Sequence, residues 1–320
     1  MKRRDFLRTT FVGSLAAGGF LRGDPLLAAE TATLRVGYQK SSAGLILAKE
    51  SGGLARRLAA HGFGLTWHEF AAGPPMLEAL NVGSVDLAMT GDTPPIFAQA
   101  AGARLVYAGY EPAKPDSSAI LVKADSPFET LADLKGRRVA FHKGSSAHNL
   151  YLRALEKAGL SPDDVTPVYL APADGRAGFE RGSVDAWAIW DPYYAQTERA
   201  APVRALTTAR GLASNHTFYL ASKAFAERHP VVLRVVFEEL DRNQQWRERA
   251  PDEVAAVLAR YAGLDKAIFD VVLSRRPDFS VKQVPDAVLA EQQAIADLFH
   301  RHGILPQAIR VADLAWRAPA

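Results

Sequence analysis

The run Val36-Gly37-Tyr38-Gln39-Lys40-Ser41-Ser42-Ala43 returns 103 residues later as Val139-Ala140-Phe141-His142-Lys143-Gly144-Ser145-Ser146-Ala147. Further on, Gly83-Ser84-Val85-Asp86, an apolar run and Asp92 return at an offset of 99 as Gly182-Ser183-Val184-Asp185, an apolar run and Asp191. Two matches in the same order at nearly the same spacing imply two similar halves, each opening with strand, polar turn and helix. A chain of 320 residues is long enough to give each half its own core.

The rest of the pattern agrees with that division. Short β-branched runs alternate with helical stretches, the signature of α/β crossover units. Nine strands are expected, at 34–38, 65–70, 87–90, 105–110, 119–123, 138–141, 167–170, 186–190 and 218–221. Gly73-Pro74-Pro75 and Asp92-Thr93-Pro94-Pro95 mark helix starts, and Gly102 and Gly159 mark helix ends. Beyond Lys223 the strands cease and apolar residues recur at helical spacing, as over 230–249, 251–261 and 286–302. The aperiodic Glu111–Asp116 stretch and the small, polar Thr208–His216 stretch read as two crossings between the halves. The expected organisation is therefore lobe 1 from 30–115 plus 217–320, lobe 2 from 116–216, and the C-terminal helices packed on lobe 1.

Residues 1–29 read differently. Lys2-Arg3-Arg4-Asp5-Phe6-Leu7-Arg8, a small apolar stretch from Thr9 to Leu21 and small residues up to Ala29 have the three parts of an export signal, with removal near Ala29. The twin arginines followed by Phe-Leu resemble the twin-arginine type, which implies a periplasmic product. The apolar run is too short to remain as a membrane span. Lys2, Arg3, Arg4, Arg8 and Arg22 against Asp5 and Asp24 account for the whole formal charge of +3. The remainder carries no broad basic field, so nucleic acid is not an expected partner. With no cysteine in the chain, disulfide scaffolds, thiol catalysis and cysteine-ligated zinc are excluded.

Two lobes facing each other would place ligands beyond the carboxyl ends of their strands, where helices begin. Lys143-Gly144-Ser145-Ser146-Ala147-His148-Asn149 lies at such a start, with unpaired N–H groups and hydroxyl donors that favour an anion. Lys40-Ser41-Ser42 is its counterpart in the first half. A single serine there could simply cap its helix; two converging starts point to anion binding. Asp92 and Asp191 stand before Pro at helix starts, as N-caps, as groups that orient hydroxyl donors, or as receivers of a ligand's cationic group. Trp187 and Trp190 point to opposite faces of one strand, the first into the core and the second toward a ligand's carbon chain. His148 and His216 lie near the cleft without metal-ligand spacing, and no nucleophile elbow is present, so neither a metal nor a catalytic site is expected.

Several long motifs carry a resemblance. Gly37-Tyr38-Gln39-Lys40, the stretch from Ala72 to Asp86, the stretch from Thr90 to Ala100, Lys143 to Leu150, and Asp185 to Tyr194 resemble, in order, the periplasmic aliphatic-sulfonate-binding proteins of ABC importers. The likeness runs from about Leu34 to Trp316. It implies a type II-like periplasmic binding protein that closes around an alkanesulfonate and delivers it to an inner-membrane ABC permease for sulfur supply. The expected state is a monomer without cofactor. The ligand contacts it implies are Gln39 and Ser42, then Gly91, Asp92 and Thr93, then Ser145, Ser146 and Asn149, then Trp190 and Asp191, with His216 in the return crossing. Thr93 stands where this family places Ile, which implies a more polar pocket here. Taurine, nitrate and other small oxyanions are the neighbouring ligand classes. An enzyme on the same fold, resembling those that make the thiamine pyrimidine, is disfavoured by the lack of cysteine.

Overall fold

A computed structural model describes residues 32–317. The export segment expected over 1–29 lies outside the described residues. The chain enters through β1 (Ala32–Tyr38), α1 (Ala43–Ser51), α2 (Gly53–Ala59), β2 (Phe63–Glu69), α3 (Gly73–Asn81), β3 (Leu87–Gly91), α4 (Pro94–Ala100) and β4 (Leu105–Glu111). It then crosses into β5 (Ser118–Lys123), β6 (Arg138–Phe141), α5 (Ser146–Ala158), β7 (Thr166–Tyr169), α6 (Pro172–Glu180), β8 (Ala186–Trp190), α7 (Tyr193–Ala200) and β9 (Val203–Thr208). The return strand is β10 (Thr217–Ser222), followed by α8 (Lys223–Arg228), α9 (Pro230–Arg249), α10 (Pro251–Ala262), α11 (Lys266–Arg275) and α12 (Asp286–Arg301).

The strands form two five-stranded sheets, ordered β2-β1-β3-β10-β4 and β7-β6-β8-β5-β9. In the first, β2, β1 and β3 run parallel while β10 is antiparallel to both β3 and β4. The second repeats this with β7, β6 and β8 parallel and β5 antiparallel to β8 and β9. The repeat seen in the sequence is thus a repeat of topology, and the fold is the two-lobed α/β arrangement it implied. Each sheet takes its fourth strand from chain that has just left the other lobe.

The echoed Gly-Ser-Val-Asp motif has a structural task. Asp86 accepts the Arg35 backbone N–H at 2.9 Å and its Nε at 2.8 Å, while Arg35 Nη1 reaches the Gly83 carbonyl. Asp185 accepts the same two donors of Arg138 at 2.8 and 3.1 Å, and Arg138 Nη2 reaches the Gly182 carbonyl. Each Asp clips the turn before one parallel strand onto the start of its neighbour, a charge-assisted contact of about 1.5–3 kcal/mol where buried.

Nine strands lie where the alternation placed them, and β9 is the addition. All six of its residues are half-buried, so neither alternation nor an apolar run marks it. Beyond α8 the described residues contain no further strand, only isolated bridges from Lys282 to Tyr110 and from Ala315 to Tyr107. α9, α10 and α11 cover one face of the first sheet through Leu233, Leu240, Leu258 and Phe269. A second apolar cluster runs from α3, α4 and α12 into β6 and α5, and a third, around Trp187 and Phe179, fills the far side of the second sheet. No described helix is long and apolar enough to cross a membrane.

Candidate functional site

The two crossings, 112–117 and 209–216, run side by side. Lys114 N–H donates to the Ser214 carbonyl at 3.0 Å, and Asn215 Nδ2 donates to the Lys114 carbonyl and to the hydroxyls of Ser117 and Ser118 at 2.9–3.1 Å. Asn215 is the one described non-glycine residue with positive φ, at 54°, a conformation its short polar side chain tolerates. Above these crossings the lobes meet around a cleft of about 620 Å³, part of it open to solvent. Its walls include Gln39, Ser41, Gly91, Lys114, Ser117, Ser145, Ser146, Trp190, Asp191, Asn215, Thr217 and Arg276.

The lobes are closed on each other. Gly91 approaches Ser146 so closely that a Cβ on Gly91 would lie 2.0 Å from the Ser146 hydroxyl. Asn149 Nδ2 donates to Asp92 Oδ2 at 3.2 Å. On one side of the cleft, Arg275 of α11 reaches Asp191 at 3.3 Å and Glu198 at 2.6 Å, with its guanidinium 3.8 Å from the Tyr194 ring centre. On the other, Arg301 of α12 pairs with Glu156 of α5 at 2.8 Å, and Phe299 stands edge-on to His148 at 4.8 Å.

Of the residues singled out from the sequence, Gln39, Gly91, Ser145, Ser146, Trp190 and Asp191 line this cavity. Ser146 opens α5, where first-turn N–H groups lack helical partners. Ser145 sits one residue earlier and donates its hydroxyl to the His142 carbonyl at 2.7 Å. The other five stand behind or beside the wall. Ser42 accepts the Gln39 N–H at 2.9 Å and donates to Met89 Sδ, and its neighbour Ser41 lines the cavity instead. Thr93 is fully buried and donates to Asp92 Oδ1 at 2.8 Å, so its hydroxyl serves Asp92 and does not make the pocket more polar. Asp92, Asn149 and His216 line a separate hollow with Arg153, Glu291 and Gln292. His216 Nδ1 lies 3.1 Å from the Glu111 carbonyl, with Nε2 3.4 Å from Glu291.

The positive charge also comes from elsewhere than the repeat suggested. Lys40 and Lys143 are both exposed, the latter lying over the Tyr169 ring. The cationic wall residues are Lys114, on the first crossing, and Arg276, just after α11. Arg276 pairs with the fully buried Glu111 and donates to the Ser41 carbonyl, while its Nε is buried without a partner in the protein. Tyr219 donates to the other Glu111 oxygen at 3.0 Å, so that carboxylate is fully held. Asp191 Oδ1 accepts the Ala195 N–H at 3.0 Å, in the manner of a helix cap, and its Oδ2 is buried without a protein partner. Burial pushes the Asp191 carboxyl up to about 7, against the pull of Arg275. Burial likewise pushes the His148 imidazole down to about 3, among Phe141, Tyr151 and Phe299. Among the described residues no His, Cys, Asp and Glu cluster could hold a metal ion.

A closed two-lobed clamp with polar donors and an aromatic wall can enclose a small solute. Residues 70–268 match the family model described as an ABC transporter, phosphonate, periplasmic substrate-binding protein. The chain belongs to the periplasmic substrate-binding proteins of ABC transporters. One relative, an Escherichia coli protein named for aliphatic sulfonate binding, is 44% identical over 98% of this chain and 97% of its own. The solved alkanesulfonate-binding protein of Xanthomonas axonopodis pv. citri, bound to MOPS, is 46% identical at a TM-score of 0.86, covering 91% of this chain and 100% of that one. The periplasmic aliphatic sulphonate binding protein of Escherichia coli matches at 46% identity and a TM-score of 0.83, covering 90% and 92%. The binding protein's fold and family are those its sequence motifs implied.

Proposed function

We propose that this binding protein captures aliphatic sulfonates in the periplasm and hands them to an inner-membrane ABC permease, acting as a monomer and without catalysis. The observation that carries the reading is the cavity itself. Ser146 at the N-terminus of α5, Lys114 and Arg276 offer donors to an anionic head, while Trp190, Met89 and Val272 offer an apolar wall to a short alkyl chain. A sulfonate is permanently anionic near neutral pH and presents three acceptor oxygens, so fixed donors hold it without a titrating base. The names of the closely related proteins point the same way. The lobes would move as bodies formed by 30–115 plus 217–320 and by 116–216, and the ligand would shift the balance toward the closed form. Residues 1–29 would direct export by the twin-arginine route and be removed near Ala29; N-terminal sequencing of the periplasmic product tests this.

The family model's description raises phosphonate as a second ligand class. A monoanion suits the cleft better than a dianion, because Asp191 lines the cavity and Asp92 lies behind it. Titration calorimetry of protein unfolded and refolded to strip ligand should show saturable binding of ethanesulfonate, weaker binding of methylphosphonate, and no turnover of either. The buffers must themselves be free of sulfonate groups. Absence of heat with ethanesulfonate, taurine and longer alkanesulfonates would refute the reading.

A further inference from the structure

We propose that Lys114 is the counter-ion of the captured head group, and that its ammonium sets the cavity's selection for one negative charge over none. The inference rests on the reading of the cleft as a sulfonate site and names the residue that reads the ligand's charge. An ammonium has three N–H donors. Lys114 Nζ gives one to the Asn215 carbonyl at 3.0 Å and one to the Thr217 hydroxyl, both neutral acceptors. Among the described residues no carboxylate stands within 4.0 Å of it, and Lys114 lines the cavity.

The charged groups packed around it already have partners. Glu111, at the end of β4, is held by Arg276 and Tyr219. Asp92, beyond β3, is held by Thr93 and Asn149. Across the cleft Arg275 and the Ala195 N–H both hold Asp191 Oδ1, and its Oδ2 is the one carboxylate oxygen of this set left without a protein partner. His216, on the second crossing, faces the Glu111 carbonyl and Glu291. Arg276 is cationic too, but its charge is balanced by Glu111. Glu111 and Asp92 act on Lys114 from beyond ion-pair distance, so of the two cations on the cavity wall it is the one without a carboxylate in contact, and a buried charge in that position calls for an anion.

Burial, with Arg276 nearby, pushes the Lys114 amine down to about 7 against the pull of Glu111 and Asp92. An anion against Nζ favours the protonated form, so binding above that pH requires proton uptake and the affinity falls. The neutral isostere ethanesulfonamide offers the ammonium only a neutral sulfonyl acceptor and should show a much smaller fall.

The test compares ethanesulfonate with ethanesulfonamide by calorimetry in Tris and imidazole buffers, on wild-type protein and Lys114→Met. In wild type the preference for the sulfonate should drop by about 30-fold from pH 6 to pH 8.5, following a group with a pKa of about 7. Lys114→Met should lose about 30-fold in sulfonate affinity at pH 6 and much less in sulfonamide affinity, the signature of a lost charge-to-charge hydrogen bond. Lys114→Arg should restore the preference and remove the share of its pH dependence that Lys114 carries, leaving the smaller share that comes from ionisation of Asp191 across the cavity. A Lys114→Met protein that keeps the wild-type sulfonate-to-sulfonamide ratio overturns the proposal. So does a wild-type ratio that does not change with pH, a result that needs no variant to fold. If wild type ignores both probes but binds nitrate, the sulfonate reading fails; Lys114 is then upheld only if Lys114→Met abolishes nitrate binding. If no anion binds, both readings fall.

Discussion

Replacing Arg275 by Gln should weaken ligand binding by an amount that grows with pH, because the residue holds the cleft shut against a carboxylate that titrates. Arg275 is 17% exposed; Asp191, its partner at 3.3 Å, is 4% exposed and Glu198, at 2.6 Å, is 31% exposed. At pH 6 Asp191, with its carboxyl raised to about 7, is mostly protonated in the closed form, and its pairing contributes little. What the variant loses there is the Glu198 pair and the stacking on Tyr194, together about 1–2 kcal/mol, or roughly 5- to 30-fold. At pH 8.5 the wild-type carboxyl gains about 2 kcal/mol by ionising beside the guanidinium, since one pKa unit is worth about 1.36 kcal/mol. Without Arg275 the closed form keeps Asp191 protonated and forgoes that gain, which adds a further factor of about 30. Opening removes Asp191 from this environment in both proteins, so the loss falls on the closed form and on affinity. Calorimetry of wild type and Arg275→Gln at the two pH values reads the effect as a ratio, in which titration of Lys114 cancels. An equal loss at both pH values would refute the argument, and so would no loss at all.

Gly91→Ala should weaken binding at least tenfold and abolish ligand-induced compaction in small-angle scattering, because the new Cβ meets Ser146 at 2.0 Å; adding Ser146→Ala should restore part of the affinity. The unfolded chain's imidazole titrates near 6.5 while His148 in the fold is held down to about 3, so the unfolded state binds more protons in that window. Thermal stability should therefore fall from pH 6.5 toward pH 3.5, and His148→Phe should flatten that limb in scanning calorimetry. Asp86→Asn should cost about 1–3 kcal/mol by denaturant titration, and Asp185→Asn less, since their side chains are 9% and 27% exposed. The reverse order would mean that burial does not set the strength of the two clips.

The sequence revealed what is periodic or repeated and missed what depends on distant contacts. The strand starts, the polar turns and the helix beginning at Ser146 follow from local pattern, and six of the cleft residues sit at those ends. The resemblance implies Ser42 where Ser41 lines the cavity, because only the turn geometry decides which of two neighbouring serines faces inward. The lysines of the repeat look like the natural source of positive charge, yet Lys40 and Lys143 point to solvent. Lys114 lay in a stretch readable only as a connection. The doublet Arg275-Arg276 belongs to no motif of the sequence. Its partners Asp191, Glu111 and Ser41 are 84, 165 and 235 residues away, a span no local spacing reports. β9 escaped for the opposite reason, since an edge strand with every residue half-buried carries no contrast to detect.

The exchange of β5 and β10 between the sheets limits the movement the two halves can make. Each crossing is anchored at both ends by strands built into a ladder, one in either sheet. Sliding one half past the other would have to peel β5 or β10 from two neighbours at once, whereas turning about the paired crossings breaks none of those ladders. The molecule is therefore built like a door hung on two pins. A swing about those pins would admit a solute while the jambs stay in register, and closing would bring Ser146 back to the same place over Gly91.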